Sequence, residues 1–141
     1  MGNIWPPYFF AGIRIRKITP DFKNVTVHLK FTWYNRNYVG TQFGGSIYAM
    51  TDPFYMMMIM NNLGRDYIVW DKASKIDFLK PGKSLLIANF KIDDQLLNEI
   101  RNKTLSGEKY VFDLPVEVKD TDGLLIAKIQ KTIYVKKKLN K

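Results

Sequence analysis

The apolar and polar positions of this chain change rhythm along its length. Val25, Val27, Leu29, Phe31 and Trp33 alternate with Thr26, His28, Lys30 and Thr32, the period of two that puts one face of a strand on a core and the other in water. The sole histidine, His28, therefore falls on the polar face. Ahead of this strand, residues 11–18 set Ile13 and Ile15 against Arg14 and Arg16, and Pro20-Asp21 supplies a turn, so the spacing predicts an opening hairpin. Residues 45–63 are apolar nearly all round and hold five methionines (Met50, Met56, Met57, Met58, Met60). Such a segment predicts a helix enclosed by other structure on most sides and ended by Gly64. Pro53 lies inside it and either kinks the axis or starts a second helical segment.

Beyond that helix the period of two returns over residues 67–79, 83–92, 110–119 and 124–135. Pro81-Gly82 links the first two of these strands, and Asp120-Thr121-Asp122-Gly123 reads as a hairpin loop joining the last two. Between them, residues 94–103 carry Leu96, Leu97 and Ile100 at helical spacing after an Asp cap, which predicts a short peripheral helix. Two strands, one buried helix and four more strands are most simply satisfied by an antiparallel sheet of about six strands wrapped around a long central helix. That is an α+β chain of the hot-dog architecture, expected as one domain over residues 1–141. The exposed edges of such a sheet invite pairing of two sheets across a twofold axis.

Composition narrows the function classes. There is no cysteine, so neither a disulfide framework nor a thiolate metal site is available, and no metal or other cofactor is expected. The first residues lack the pattern of a secretory signal, which points to a cytoplasmic protein. The apolar run falls short of the roughly 18 uninterrupted residues a bilayer-spanning helix needs, so stable membrane insertion is not expected. A formal charge of +9 favours anionic partners. The basic residues are scattered, however, apart from Lys136-Lys137-Lys138, and no nucleic-acid motif accompanies them.

Candidate chemistry concentrates where the polar, glycine-bearing stretch 35–45 runs into the apolar helix. A helix start offers free backbone N–H groups, and paired glycines let a ligand oxygen approach them closely. Asp52 follows, set among Tyr48, Met50, Phe54, Tyr55 and Met56. A carboxylate in that company serves either as a base or as the cap of a second helical segment. The glycines, likewise, either supply donors or merely permit the turn.

The spacing of Asn37, Phe43-Gly44-Gly45 and Asp52 resembles the signature of hot-dog-fold thioesterases of the phenylacetate-degradation type: an Asn, a short gap, His-Gly-Gly, and an Asp nine residues after that His. Phe43 stands where the family has its His. With Asn-Arg-Asn-Tyr-Val-Gly-Thr and Leu-Gly-Arg-Asp-Tyr-Ile-Val-Trp-Asp-Lys, the whole chain looks most like a bacterial branch of that superfamily catalogued as a domain of unknown function. The resemblance implies an acyl-coenzyme A or acyl-carrier thioesterase in which the Gly44 N–H polarises the thioester carbonyl. Asp52 would act as nucleophile or general base, and Asn37 would position water or substrate. Gln42, Phe43 and Gly45 would flank the substrate, as would Asp71, ten positions before Pro81, where relatives often carry Ser or Thr. For Asp71 the plainer alternative is a surface or interface carboxylate paired with Lys72 or Arg65.

In that family the two halves of the site come from different subunits, which implies an obligate homodimer, or a homotetramer built as a dimer of dimers. Coenzyme A would enter only as part of the substrate. A carbonyl-polarising role for the Gly44 backbone survives the loss of the His, whereas any role needing an imidazole does not. The competing reading is a non-catalytic hot-dog domain that binds an acyl chain or another hydrophobic ligand. The methionines would then be core or the lining of an acyl tunnel, and the aromatic segment Trp5-Pro6-Pro7-Tyr8-Phe9-Phe10 a lid or an arm over the core.

Overall fold

A computed structural model describes residues 12–31 and 44–138. Strands β1 (Ile13–Ile18) and β2 (Asn24–Leu29) form the opening hairpin, followed by helices α1 (Gly44–Ala49) and α2 (Phe54–Leu63) and strand β3 (Tyr67–Phe78). Strand β4 (Leu86–Lys91), helix α3 (Asp94–Lys103) and strands β5 (Tyr110–Asp120) and β6 (Leu125–Lys137) complete the order. All six strands join one sheet in the order β1-β2-β4-β5-β6-β3, and every neighbouring pair is antiparallel. This is the α+β hot-dog arrangement the alternation predicts, with β1 and β3 at the two edges.

The core lies between one face of the sheet and the central helical run. Val25, Val27 and Leu29 of β2 point inward with Leu86, Ala88 and Phe90 of β4, Val116 and Val118 of β5, and Ile129, Ile133 and Val135 of β6. From α2, Phe54, Tyr55, Met58, Ile59 and Leu63 are buried against them. The Phe90 ring sits 5.2 Å from both Phe54 and Tyr55, edge-on to the latter, an arrangement favoured by aromatic quadrupoles. The Tyr55 hydroxyl donates to the carbonyl of Pro115 at 2.6 Å and ties α2 to β5.

The helical run is in two pieces. Proline has no N–H to give, and the chain turns through Met50–Pro53 before α2 begins, with Pro53 itself at the N-cap position. Of the two readings of Pro53, the second segment is the one adopted. The run is also less enclosed than its composition suggests. Met50 and Met58 are buried and Met56 is partly so, but Met57 and Met60 are exposed, because the sheet covers only one side of α2 among the described residues.

The turns follow their local chemistry. Asp120 accepts hydrogen bonds from the backbone N–H of Asp122 and of Leu124, both at 2.9 Å, and Gly123 takes the positive φ that closes the β5–β6 hairpin. Asp93 caps α3 by accepting from the Leu96 N–H at 2.8 Å. His28 lies half-buried on the outer face, paired in register with Arg14 and Ile87. Lys136 and Lys137, just past the predicted end of the last strand, belong to β6 and pair with Ile68 and Tyr67. The aromatic segment 5–10 lies outside the described residues.

Candidate functional site

Asp52 sits in the short irregular turn between α1 and α2. Thr51, fully buried beside it, donates its hydroxyl to the Tyr48 carbonyl at 2.8 Å and so helps close the turn. The cap position of α2 is taken by Pro53, which has no side-chain acceptor to offer. The Asp52 carboxylate is directed elsewhere: its Oδ1 accepts a hydrogen bond from Lys131 Nζ at 3.3 Å. Its side chain keeps 43% of its surface accessible.

Lys131 is fully buried. It stands on β6 between Ile129 and Ile133, in the column of side chains that faces the core, with Ser74 of β3 and Leu114 of β5 across from it. An ammonium removed from water this completely requires compensation. Asp52 provides part of it. Asp71 provides more, with its Oδ1 3.7 Å from the same Nζ, and the Tyr48 ring adds a cation–π contact 5.5 Å from its centroid.

Asp71 reaches this cluster by the alternation of β3, just ahead of a local irregularity. In β3, Tyr67, Val69 and Asp71 share the inner face, and the register then slips by one residue between Asp71 and Ala73, where Lys72 bulges out. The ion pair of Asp71 is thus with Lys131 and not with its sequence neighbours Lys72 or Arg65. Its side chain is only 17% exposed, and among the described residues neither carboxylate oxygen accepts a hydrogen bond. Burial first, then the proximity of Asp52, push the Asp71 carboxyl up to about 6, against the opposing pull of Lys131. Two carboxylates drawn to one ammonium repel each other; a proton on Asp71 relieves the repulsion.

Of the residues singled out in the sequence, the structure therefore brings Asp52 and Asp71 together. Gly44 and Gly45 open α1, a helix of six residues. Asn37, Gln42 and Phe43 lie outside the described residues. Lys131 was missed, although the alternation Ala127, Ile129, Lys131, Ile133, Val135 sets it in phase with the core. A groove of about 620 Å³ on the other face of the sheet, where β4 and β5 part, is lined by Asn89, Glu117, Lys119 and Lys128 among others and includes none of the cluster.

Residues 1–135 match the model of a family described as a domain of unknown function, DUF4442. The chain belongs to that family. No curated protein is similar enough in sequence to count as a relative. Among solved structures, a Pseudomonas aeruginosa protein of unknown function, called a probable thioesterase, superposes with a TM-score of 0.78 at 14% identity, over 90% of this chain and 84% of its own. A Haemophilus influenzae thioesterase, HI1161, gives a TM-score of 0.68 at 13% identity over 98% of this chain and 87% of its own. The Escherichia coli PaaI protein, from the phenylacetic acid degradation operon, gives 0.65 at 16% identity over the same shares. At these identities the likeness is one of fold, and the fold this DUF4442 chain shares with them is the hot-dog. No helix among the described residues is long and apolar enough to cross a membrane.

Proposed function

We infer that this DUF4442 protein hydrolyses an acyl thioester, with coenzyme A or an acyl carrier as the leaving thiol. The observation that carries the reading is Asp52: an accessible carboxylate anchored by a buried ammonium at the start of the central helix. Asp52 takes a proton from water, whose oxygen attacks the thioester carbonyl, and the carbonyl oxygen becomes an oxyanion. The Gly44 N–H meets that oxyanion; a well-aimed donor of this kind is worth roughly 3 kcal/mol. Collapse of the intermediate breaks the C–S bond, and the thiolate leaves with the proton that Asp52 had taken up. Asn37 holds the water or the substrate, and Gln42, Phe43 and Gly45 flank it.

One chain cannot easily serve both ends of this reaction. Gly44 and Asp52 are separated by the whole of α1, about 9 Å of helix, and the free N–H groups at a helix start face away from its other end. The reading therefore pairs the Gly44 of one subunit with the Asp52 of another across a homodimer. Among the described residues the twelve of β3 pair only with β6, which leaves an edge suited to that assembly.

Release of free thiol from a panel of acyl-coenzyme A substrates, short to long, tests the reading. Turnover of any of them supports hydrolysis. Saturable binding of an acyl ligand without thiol release supports the alternative, a hot-dog domain that holds a hydrophobic ligand and lacks the His position's imidazole because it has no use for one.

A further inference from the structure

The core gains nothing from a charge at position 131. Ile129 and Ile133 on either side show what packs there, and an apolar side chain of similar length would fill the space at no electrostatic cost. What the lysine does that an isoleucine cannot is present its Nζ to two carboxylates carried by two other elements: Asp52 at 3.3 Å and Asp71 at 3.7 Å. The three groups are graded by exposure, with Lys131 sealed, Asp71 nearly so and Asp52 open.

We propose that Lys131 is the positioning residue of this site: its buried ammonium anchors the Asp52 carboxylate, and Asp71 competes with Asp52 for that single positive charge. The charged and titratable groups facing the ammonium among the described residues are Asp52 and Tyr48 from the helical segment and Asp71 from β3. On β5 the inward neighbours Phe112, Leu114 and Val116 are apolar. Nothing in β5 therefore relieves the competition. When Asp71 carries a proton, the ammonium belongs to Asp52. When Asp71 is ionised, the ammonium is shared, and Asp52 is freer to take a proton from water. The exchange of charge is independent of any reaction; its effect on turnover rests on the thioesterase reading above.

The test is a ¹³C NMR titration of the aspartate carboxyls in the full chain, comparing wild type, Lys131→Met and Asp52→Asn, with a thermal melt to show that each variant folds. Asp71 should titrate near 6 in the wild type. Its midpoint should rise by about one unit in Lys131→Met and fall by about as much in Asp52→Asn. If Lys131→Met does not fold, Asp52→Asn decides, since it leaves the buried lysine in place. For any substrate found, the rise of kcat/KM through pH 6 should flatten in Asp71→Asn, and Lys131→Met should lower kcat with KM within about twofold. Absence of hydrolysis sinks the proposed function and leaves the titration arms standing. An Asp71 midpoint that stays put in the folded variants overturns the competition for Lys131.

Discussion

Lys131 Nζ lies 3.3 Å from Asp52 Oδ1, joining residues 79 positions apart in the chain. One comes from the inner face of a central strand and the other from the break that Pro53 imposes on the helical run. The contact fixes a reactive type of side chain against a strand of the sheet. It is also the contact that turns two separately unremarkable carboxylates into a coupled site.

Asp71→Asn should stabilise the protein at neutral pH and leave it unchanged in acid. The folded state holds the Asp71 proton up to about 6, above the ordinary 3.8, so between those values the native chain binds more protons than the unfolded one. Stability attributable to this group is fully present below the lower value and is lost as pH rises through the upper one. Asparagine mimics the protonated form at every pH. Urea melts at pH 4 and pH 8 should show a difference near zero at the first and a gain of about 1–2 kcal/mol at the second, allowing for the group's residual exposure.

Tyr55→Phe should cost about 1–2 kcal/mol, because it leaves the Pro115 carbonyl without the 2.6 Å hydrogen bond that joins α2 to β5. Burial pushes the Tyr55 hydroxyl up to about 12. The native chain therefore keeps this proton where the unfolded chain releases it, and wild-type stability should decline from about pH 10 upward by a margin that Tyr55→Phe lacks. Denaturant titrations at pH 8 and pH 11 check both parts.

Phe90→Ala should be far more damaging than Asp93→Ala. Phe90 is 1% exposed and packs on both Phe54 and Tyr55, so its loss opens a cavity under α2 at a cost of about 3–5 kcal/mol. Asp93→Ala removes one cap from the peripheral helix α3, about 1 kcal/mol. Chemical melts of the two variants should differ accordingly.

The sequence made the sheet readable wherever one face is buried and the other wet. β2 alternates without exception, and the Asp-Thr-Asp-Gly turn and the Asp93 cap act through bonds between near neighbours. Asp52 was legible because a charge interrupts an apolar helix. Lys131 was not, because a single lysine in a strand rich in lysine looks like surface; only its phase with Ile129 and Ile133 gives it away. Asp71 was visible as a residue but not as a partner. The bulge at Lys72 shifts the inner face of β3 by one position, and a register slip cannot be counted from alternation alone. Which two elements then meet at one ammonium is a property of the sheet order, set by contacts far apart in the chain.

The most direct test of the account is the rate of thiol release by Asp52→Asn on the acyl-coenzyme A substrate that the wild type turns over best. Asparagine keeps the shape of the side chain and can still meet Lys131 through its amide oxygen, but it cannot take a proton from water or attack a carbonyl. The account predicts a loss in kcat of about 10²- to 10⁴-fold with the fold intact by circular dichroism. Turnover by Asp52→Asn at the wild-type rate would contradict it.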